Sequence, residues 1–148
     1  MNIAFFLTPK AEVVYETPNS TMRQALERME LYRYTAIPLI DDKGKYVGTL
    51  TEGDLLWKLK NTPDLNFKNT NKVLLKEIST RMNNKSVRIN SDMKDLISLA
   101  VNQNFVPVID DKNVFIGIIK RSDIINYCYR ELFDKNDNSI IKIKNNLG

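Results

Sequence analysis

Histidine is absent from these 148 residues, and with it go the commonest general base and the commonest metal ligand. A Ser-His-Asp or Cys-His arrangement cannot be assembled within the chain. The single cysteine, Cys128, can form neither an intrachain disulfide nor, without histidine, a thiolate–imidazole zinc site. Glycine is scarce as well. The five glycines, at 44, 48, 53, 117 and 148, are too dispersed for a GxGxxG fingerprint. Gly48 and Gly53 have P-loop spacing, but Asp54-Leu55 follows where Lys-Ser/Thr is required, and a carboxylate there repels phosphate. No apolar run approaches the ~18 residues of a membrane span. Ile3–Leu7 is too short for a signal peptide and lacks a basic flank. These absences lead us to expect a cytoplasmic protein that is not an enzyme, with no catalytic residues, no metal and no cofactor. The many Asn, Lys and Ile residues point to an AT-rich bacterial genome.

The formal net charge of +4 is modest, and Lys and Arg are scattered without interleaved aromatics. Nucleic acid is therefore not an expected partner, whereas a mildly positive field suits an anionic small molecule.

What is present is a repeat. Pro38-Leu39-Ile40-Asp41-Asp42-Lys43-Gly44 matches Pro107-Val108-Ile109-Asp110-Asp111-Lys112-Asn113 at an offset of 69. The register holds through Gly48/Gly117 and Asp54/Asp123. Gly44 and Asn113 fall at the same turn position, and these residue types tolerate φ > 0 best. Upstream the offset becomes 70, so the second copy is one residue shorter before its central strand.

Each copy reads strand–helix–strand–strand–helix. Short strands at Val13–Glu16 and Val87–Asn90 precede helices with apolar stripes at Met22, Ala25, Leu26 and Met29, or at Met93, Leu96, Ile97, Ala100 and Val101. Thr21-x-x-Gln24 fits a capping box, and Ser91-Asp92 can cap the second helix. Strands Ile37–Ile40 and Tyr46–Leu50, then Val106–Ile109 and Val114–Ile119, flank Asp-Asp-Lys turns. Closing helices start near Asp54 and Asp123. Val73–Met82 reads as a helix entering the second copy, and the polar tail from Asp134 leaves open whether it frays or adds an edge strand. The expected organisation is repeat 1 over 1–60, a polar linker over 61–72, repeat 2 over 73–133 and a tail over 134–148. One copy buries too little apolar surface to be comfortably stable alone, so the two are expected to pack about a pseudo-twofold axis, with ligand clefts between them.

The motifs Val13-Val14…Thr17-Pro18…Ile37-Pro38-Leu39-Ile40-Asp41…Gly48-Thr49-Leu50-Thr51-Glu52-Gly53-Asp54 and Val87…Val106-Pro107-Val108-Ile109-Asp110…Gly117-Ile118-Ile119-Lys120-Arg121-Ser122-Asp123 resemble the cystathionine-β-synthase (CBS) domain. The resemblance implies an α/β (α+β) fold of two β-α-β-β-α repeats forming one Bateman module, which commonly binds adenine nucleotides. In that family the motif Asp holds ribose, the Thr/Ser reaches phosphate, and backbone before the Pro meets the adenine edge. Tyr34-Thr35-Ala36-Ile37-Pro38, Asn104-Phe105-Val106 and Arg121 are similar to the small stand-alone CBS-pair proteins of Gram-positive bacteria, some of which bind cyclic di-AMP.

The expected site joins Val14, Tyr34, Thr35, Ala36 and Ile37 of repeat 1 to Lys120, Arg121 and Asp123 of repeat 2. A second cleft is expected at Thr51, Asp54, Phe105 and Val106, with the bulk of Phe105 crowding it. Alternatives stay open. Thr51-x-x-Asp54 is also a plain helix cap, as Asp123 can be, and Tyr34 can pack on its helix. Lys120-Arg121 also reads as a solvated surface pair, and Cys128 as core. The expected function is a regulatory sensor of AMP, ADP, ATP or cyclic di-AMP that alters contact with a client protein. It is expected to be a homodimer. The other reading is a ligand-free dimerisation or interaction module.

Overall fold

The computed structural model describes residues 2–134. In chain order its elements are β1 (Thr8–Pro9), α1 (Met22–Tyr32), β2 (Ala36–Ile40), β3 (Tyr46–Thr51), α2 (Glu52–Asn61), β4 (Val87–Arg88), α3 (Met93–Ala100), β5 (Phe105–Ile109), β6 (Phe115–Lys120) and α4 (Arg121–Tyr129). The α/β architecture and its duplication are those expected.

Local chemistry sets the element ends. Thr21 and Gln24 form the capping box of α1, the hydroxyl accepting the Gln24 N–H at 3.2 Å and the carboxamide accepting the Thr21 N–H at 2.8 Å. Asp92 caps α3 by accepting the Asp95 N–H at 3.0 Å. In the hairpins, Asp41 Oδ1 accepts from the Lys43 and Lys45 N–H groups, and Asp110 Oδ1 from those of Lys112 and Val114. Gly44 (φ 78°) and Asn113 (φ 64°) take the left-handed turn position, which is why those two types recur there.

β2 and β3 form an antiparallel pair, and Glu16 adds a single parallel bridge to Leu39. The second sheet runs β1-β6-β5-β4, with β4 parallel to β5. Met22, Ala25, Met29, Leu50 and Leu55 centre one core, and Leu96, Val106, Val108, Ile119 and Ile124 a second. A third, smaller cluster of Val13, Ile40 and Phe115 joins them, and the Phe115 N–H donates to the Gly44 carbonyl across the junction.

Several expectations are corrected. The strand at Val13–Glu16 is reduced to the Glu16 bridge, and that at Val87–Asn90 to Val87–Arg88. Val73–Met82 is not a helix. Its backbone is committed elsewhere, with Leu75 N–H on the Ser20 carbonyl, Lys76 N–H on that of Pro18 and Met22 N–H on that of Val73. The segment becomes a strap carrying a 3₁₀ turn at Leu75–Glu77, and it buries Leu75 and Ile78 in the first repeat's core. The beginning of the chain serves the other repeat. Ile3 is fully buried in the second core, and β1 pairs with β6. The edge-strand alternative for the tail lies outside the described residues.

Candidate functional site

α1 ends in a Schellman motif. Arg33 adopts the left-handed conformation (φ 59°), its N–H donates to the Glu30 carbonyl, and the Tyr34 N–H reaches back to Met29 at 3.0 Å. The sharp reversal places Tyr34, Thr35 and Ala36 at the rim between the two sheets. From the other repeat, β6 delivers Lys120 and Arg121 to the same rim as α4 begins, with the Arg121 N–H donating to the Asn104 carbonyl at 3.1 Å.

These residues face one another across a cavity of about 280 Å³. Its wall holds Val14, Tyr34, Thr35, Ala36, Lys120 and Arg121, so six of the eight residues expected in this site are brought together. Ile37 is not in the wall, because its side chain is 1% exposed and belongs to the first core. Asp123 is not in the wall either. It lies at the third position of α4, one residue beyond the run Lys120–Ser122 that lines the cavity.

The second expected cleft is not assembled as drawn. Phe105 lines the Tyr34 cavity instead, as the cross-strand partner of Lys120 in β6. Val106 points the opposite way, as strand alternation requires, and is fully buried in core. Thr51 and Asp54 form the capping box of α2, and Asp54 also accepts the Arg81 N–H at 3.3 Å.

Glu12, Thr8, Asn104 and Ser122 also line the cavity and were missed. Glu12 and Thr8 precede the repeat motif, and no local pattern points to them. Asn104 and Ser122 stand next to expected residues in the chain, and that adjacency is the available signal.

The cavity's charges are Lys120, Arg121 and Glu12, an excess of one positive charge that favours an anion. Arg121 Nε donates to the Gln103 carbonyl at 2.7 Å, which fixes the guanidinium plane and leaves its two terminal NH₂ groups available for bidentate contact. The helix start beside it has no side-chain cap, since Lys120 stands where Thr51 caps α2. Asn104 lines the wall, and its Oδ1 is buried without a hydrogen-bond partner among the described residues. Tyr34 presents a flat ring stacked on Tyr32, with centroids 6.1 Å apart. No group of three or more Cys, Asp or Glu that could hold a metal ion is found among the described residues.

A larger open groove of about 560 Å³ lies between α1 and α2, walled chiefly by Leu26, Met29, Leu55, Leu56, Leu59 and Phe67. Its apolar wall suits another protein surface better than a phosphate. Tyr34 and Thr35 line both spaces.

The CBS domain model matches residues 7–61 and 75–130. The chain belongs to the CBS domain family. Inosine-5'-monophosphate dehydrogenase of Methanocaldococcus jannaschii is 28% identical over 117 residues, or 77% of this chain, which spans only 21% of that enzyme's length. Among solved structures, CbpB in complex with c-di-AMP superimposes with a TM-score of 0.78 at 22% identity, covering 93% of this chain and 91% of that one. CBSX2 of Arabidopsis thaliana in complex with AMP gives 0.67 at 23% identity, covering 87% and 96%. Two tandem CBS repeats in this arrangement make the chain a Bateman module. Among the described residues no helix is long and apolar enough to cross a membrane.

Proposed function

We propose that this Bateman module is a non-catalytic sensor that binds an adenine nucleotide in the cavity between Tyr34 and Arg121. One observation carries the reading: an aromatic face and a pair of cations, contributed by different repeats, converge on one cavity with a net positive charge. The base lies against Tyr34, Ala36 and Val14. Phosphate meets Arg121, Lys120 and the uncapped start of α4. Glu12 supplies an acceptor for ribose hydroxyls or the exocyclic amine. The complexes of CbpB with c-di-AMP and of CBSX2 with AMP support the choice of ligand class.

Regulation follows from the shared wall. Tyr34 and Thr35 belong both to the cavity and to the apolar groove, so a ligand that fixes them changes what the groove presents to a partner. The first partner is a second copy of the chain. Leu31, Leu56 and Trp57 on α1 and α2, and Val101, Ile125 and Tyr129 at α3 and α4, are exposed apolar residues on both helix faces. A client protein is the second.

A thermal-shift panel of AMP, ADP, ATP and cyclic di-AMP tests the reading. A binding nucleotide at about 100 times its dissociation constant stabilises the fold by ~2.7 kcal/mol. Melting curves unmoved by every nucleotide at millimolar concentration would leave the ligand-free interaction module in its place.

A further inference from the structure

The parallel bridges Glu16–Leu39 and Val87–Val108 place position 16 over 87, and hence Val14 over Lys85. The Pro38/Pro107 register places Ala36 over Phe105 and Tyr34 over Gln103. In the first repeat, the Val14 N–H and C=O have no hydrogen-bond partner among the described residues. The Ala36 C=O also points away from β3, because the Glu52 N–H to Thr35 C=O bond fixes the alternation of the ladder. One donor and two acceptors thus face the cavity side.

In the second repeat the same three groups are taken. Gln103, 6% exposed, donates from Nε2 to the Lys85 carbonyl at 3.0 Å and the Phe105 carbonyl at 3.2 Å, and its Oε1 accepts the Lys85 N–H at 2.8 Å. Asn84 Nδ2 donates to the Phe105 carbonyl too, at 3.2 Å. A carboxamide offers a donor beside an acceptor, as do the exocyclic amine of adenine and its neighbouring ring nitrogen.

We propose that Gln103 is a built-in surrogate for a nucleobase edge, so that the second cleft is self-occupied and the chain carries one nucleotide site. The proposal rests on the reading of the first cavity given above. The one-residue deletion supplies the cause. Among the described residues α3 has no left-handed exit residue like Arg33, so position 103 turns inward where Tyr34 turns to the rim. Gln103 also touches the open site, since its carbonyl is the group that orients Arg121. One residue thereby shuts one cleft and shapes the other.

Calorimetry with AMP on the full chain, beside hydrogen exchange at the Lys85 amide, tests this. Wild type takes one AMP per chain, and Gln103→Ala takes a second, weaker equivalent. In that variant the Lys85 amide exchanges about tenfold faster, the scale of one lost hydrogen bond, and saturating AMP restores its protection. A cavity of about 380 Å³ already borders Gln103, Asn84 and Lys85, so the truncation enlarges existing space. Two AMP per wild-type chain, or one in both proteins, overturns the proposal; the latter leaves the first-cavity reading standing. No binding to wild type but one AMP on Gln103→Ala sinks the first-cavity reading and the single wild-type site with it, and upholds only the occupation of the second cleft by Gln103. Silence from both proteins sinks both. If Gln103→Ala does not fold, Arg121→Ala decides: a roughly 10–150-fold weakening of all AMP binding supports a single site, and one equivalent retained at wild-type affinity overturns it.

Discussion

Gly48 and Gly117 occupy the same position in the two repeats, yet one added methyl group should separate them. At Gly117 a Cβ falls well inside contact distance of the Thr8 backbone oxygen and 2.9 Å from Leu7 Cδ1, because β1 lies directly over β6 there. At Gly48 the nearest atoms are Thr80 Oγ1 at 3.8 Å and Asn83 Oδ1 at 3.9 Å, which is ordinary contact. Gly117→Ala has two outlets. Keeping β1 in place costs the ~1–3 kcal/mol typical of overpacking. Releasing β1 exposes Ile3, now fully buried, at about 1.5–3 kcal/mol. Either route lowers Tm by roughly 2–12 °C at ~2–4 °C per kcal/mol for a chain of this size. Gly48→Ala adds no clash and restricts the unfolded chain, so it should stabilise by about 0.4–1 kcal/mol. Circular-dichroism melts of the three proteins measure both effects, and faster exchange at Ile118, the cross-strand partner of Thr8, identifies the release of β1. Equal melting of Gly117→Ala and wild type, or an equal loss in Gly48→Ala, would refute the placement of β1.

Three further outcomes follow from contacts already described. Arg121→Ala should weaken nucleotide binding by ~1.5–3 kcal/mol, or roughly 10–150-fold in Kd by calorimetry, whereas Asp54→Ala should leave Kd unchanged while its lost cap costs about 0.5–2 kcal/mol in a denaturant melt. Tyr46 donates to or accepts from Thr49 Oγ1 at 2.6 Å, and burial pushes its phenol above the ordinary value of 10.0. The folded state then holds the proton that the unfolded state releases, so stability is full below pH 10 and falls as pH rises past it; Tyr46→Phe should flatten that fall and cost ~1–3 kcal/mol at neutral pH by stranding the fully buried Thr49 hydroxyl. Light scattering should report a dimer at micromolar concentration, and Leu56→Glu, which puts a charge on the exposed apolar face of α2, should give a monomer; a monomeric wild type would remove the helix faces as a self-association surface.

Features that depend on neighbours a few positions apart were legible in the sequence. The Thr21–Gln24 box, the Asp41 and Asp110 turns and the left-handed Gly44 and Asn113 all involve partners within four residues, and each is found. The misread features depend on distant partners. Leu74–Ile78 has apolar residues at helical spacing, but Pro18 and Ser20 accept its N–H groups and hold it in a strap. Thr8–Pro9 carries no strand signal, and only the edge of β6 makes it one. Glu12 enters the cavity for the same reason. The strand alternation that puts Val106 in the core was legible; which sheet face closes the Tyr34 cavity depends on packing between repeats and was not, so Phe105 was assigned to the wrong cleft.

The two repeats differ most where the ligand argument needs them to differ. Thr51 and Asp54 cap α2 for each other, whereas Lys120 leaves the start of α4 uncapped and brings a cation to the cavity. The exchange trades roughly 0.5–2 kcal/mol of helix capping for an anion-facing helix terminus. Removal of one residue before β5 then turns Gln103 inward, where it satisfies three backbone groups and holds Arg121 through its carbonyl. Both changes act in one direction. The cleft framed by Tyr34 gains charge and keeps unpaired backbone polar groups, and the cleft framed by Gln103 has those groups paired. Duplication explains the shared fold, and these two departures from it account for an unequal pair of clefts.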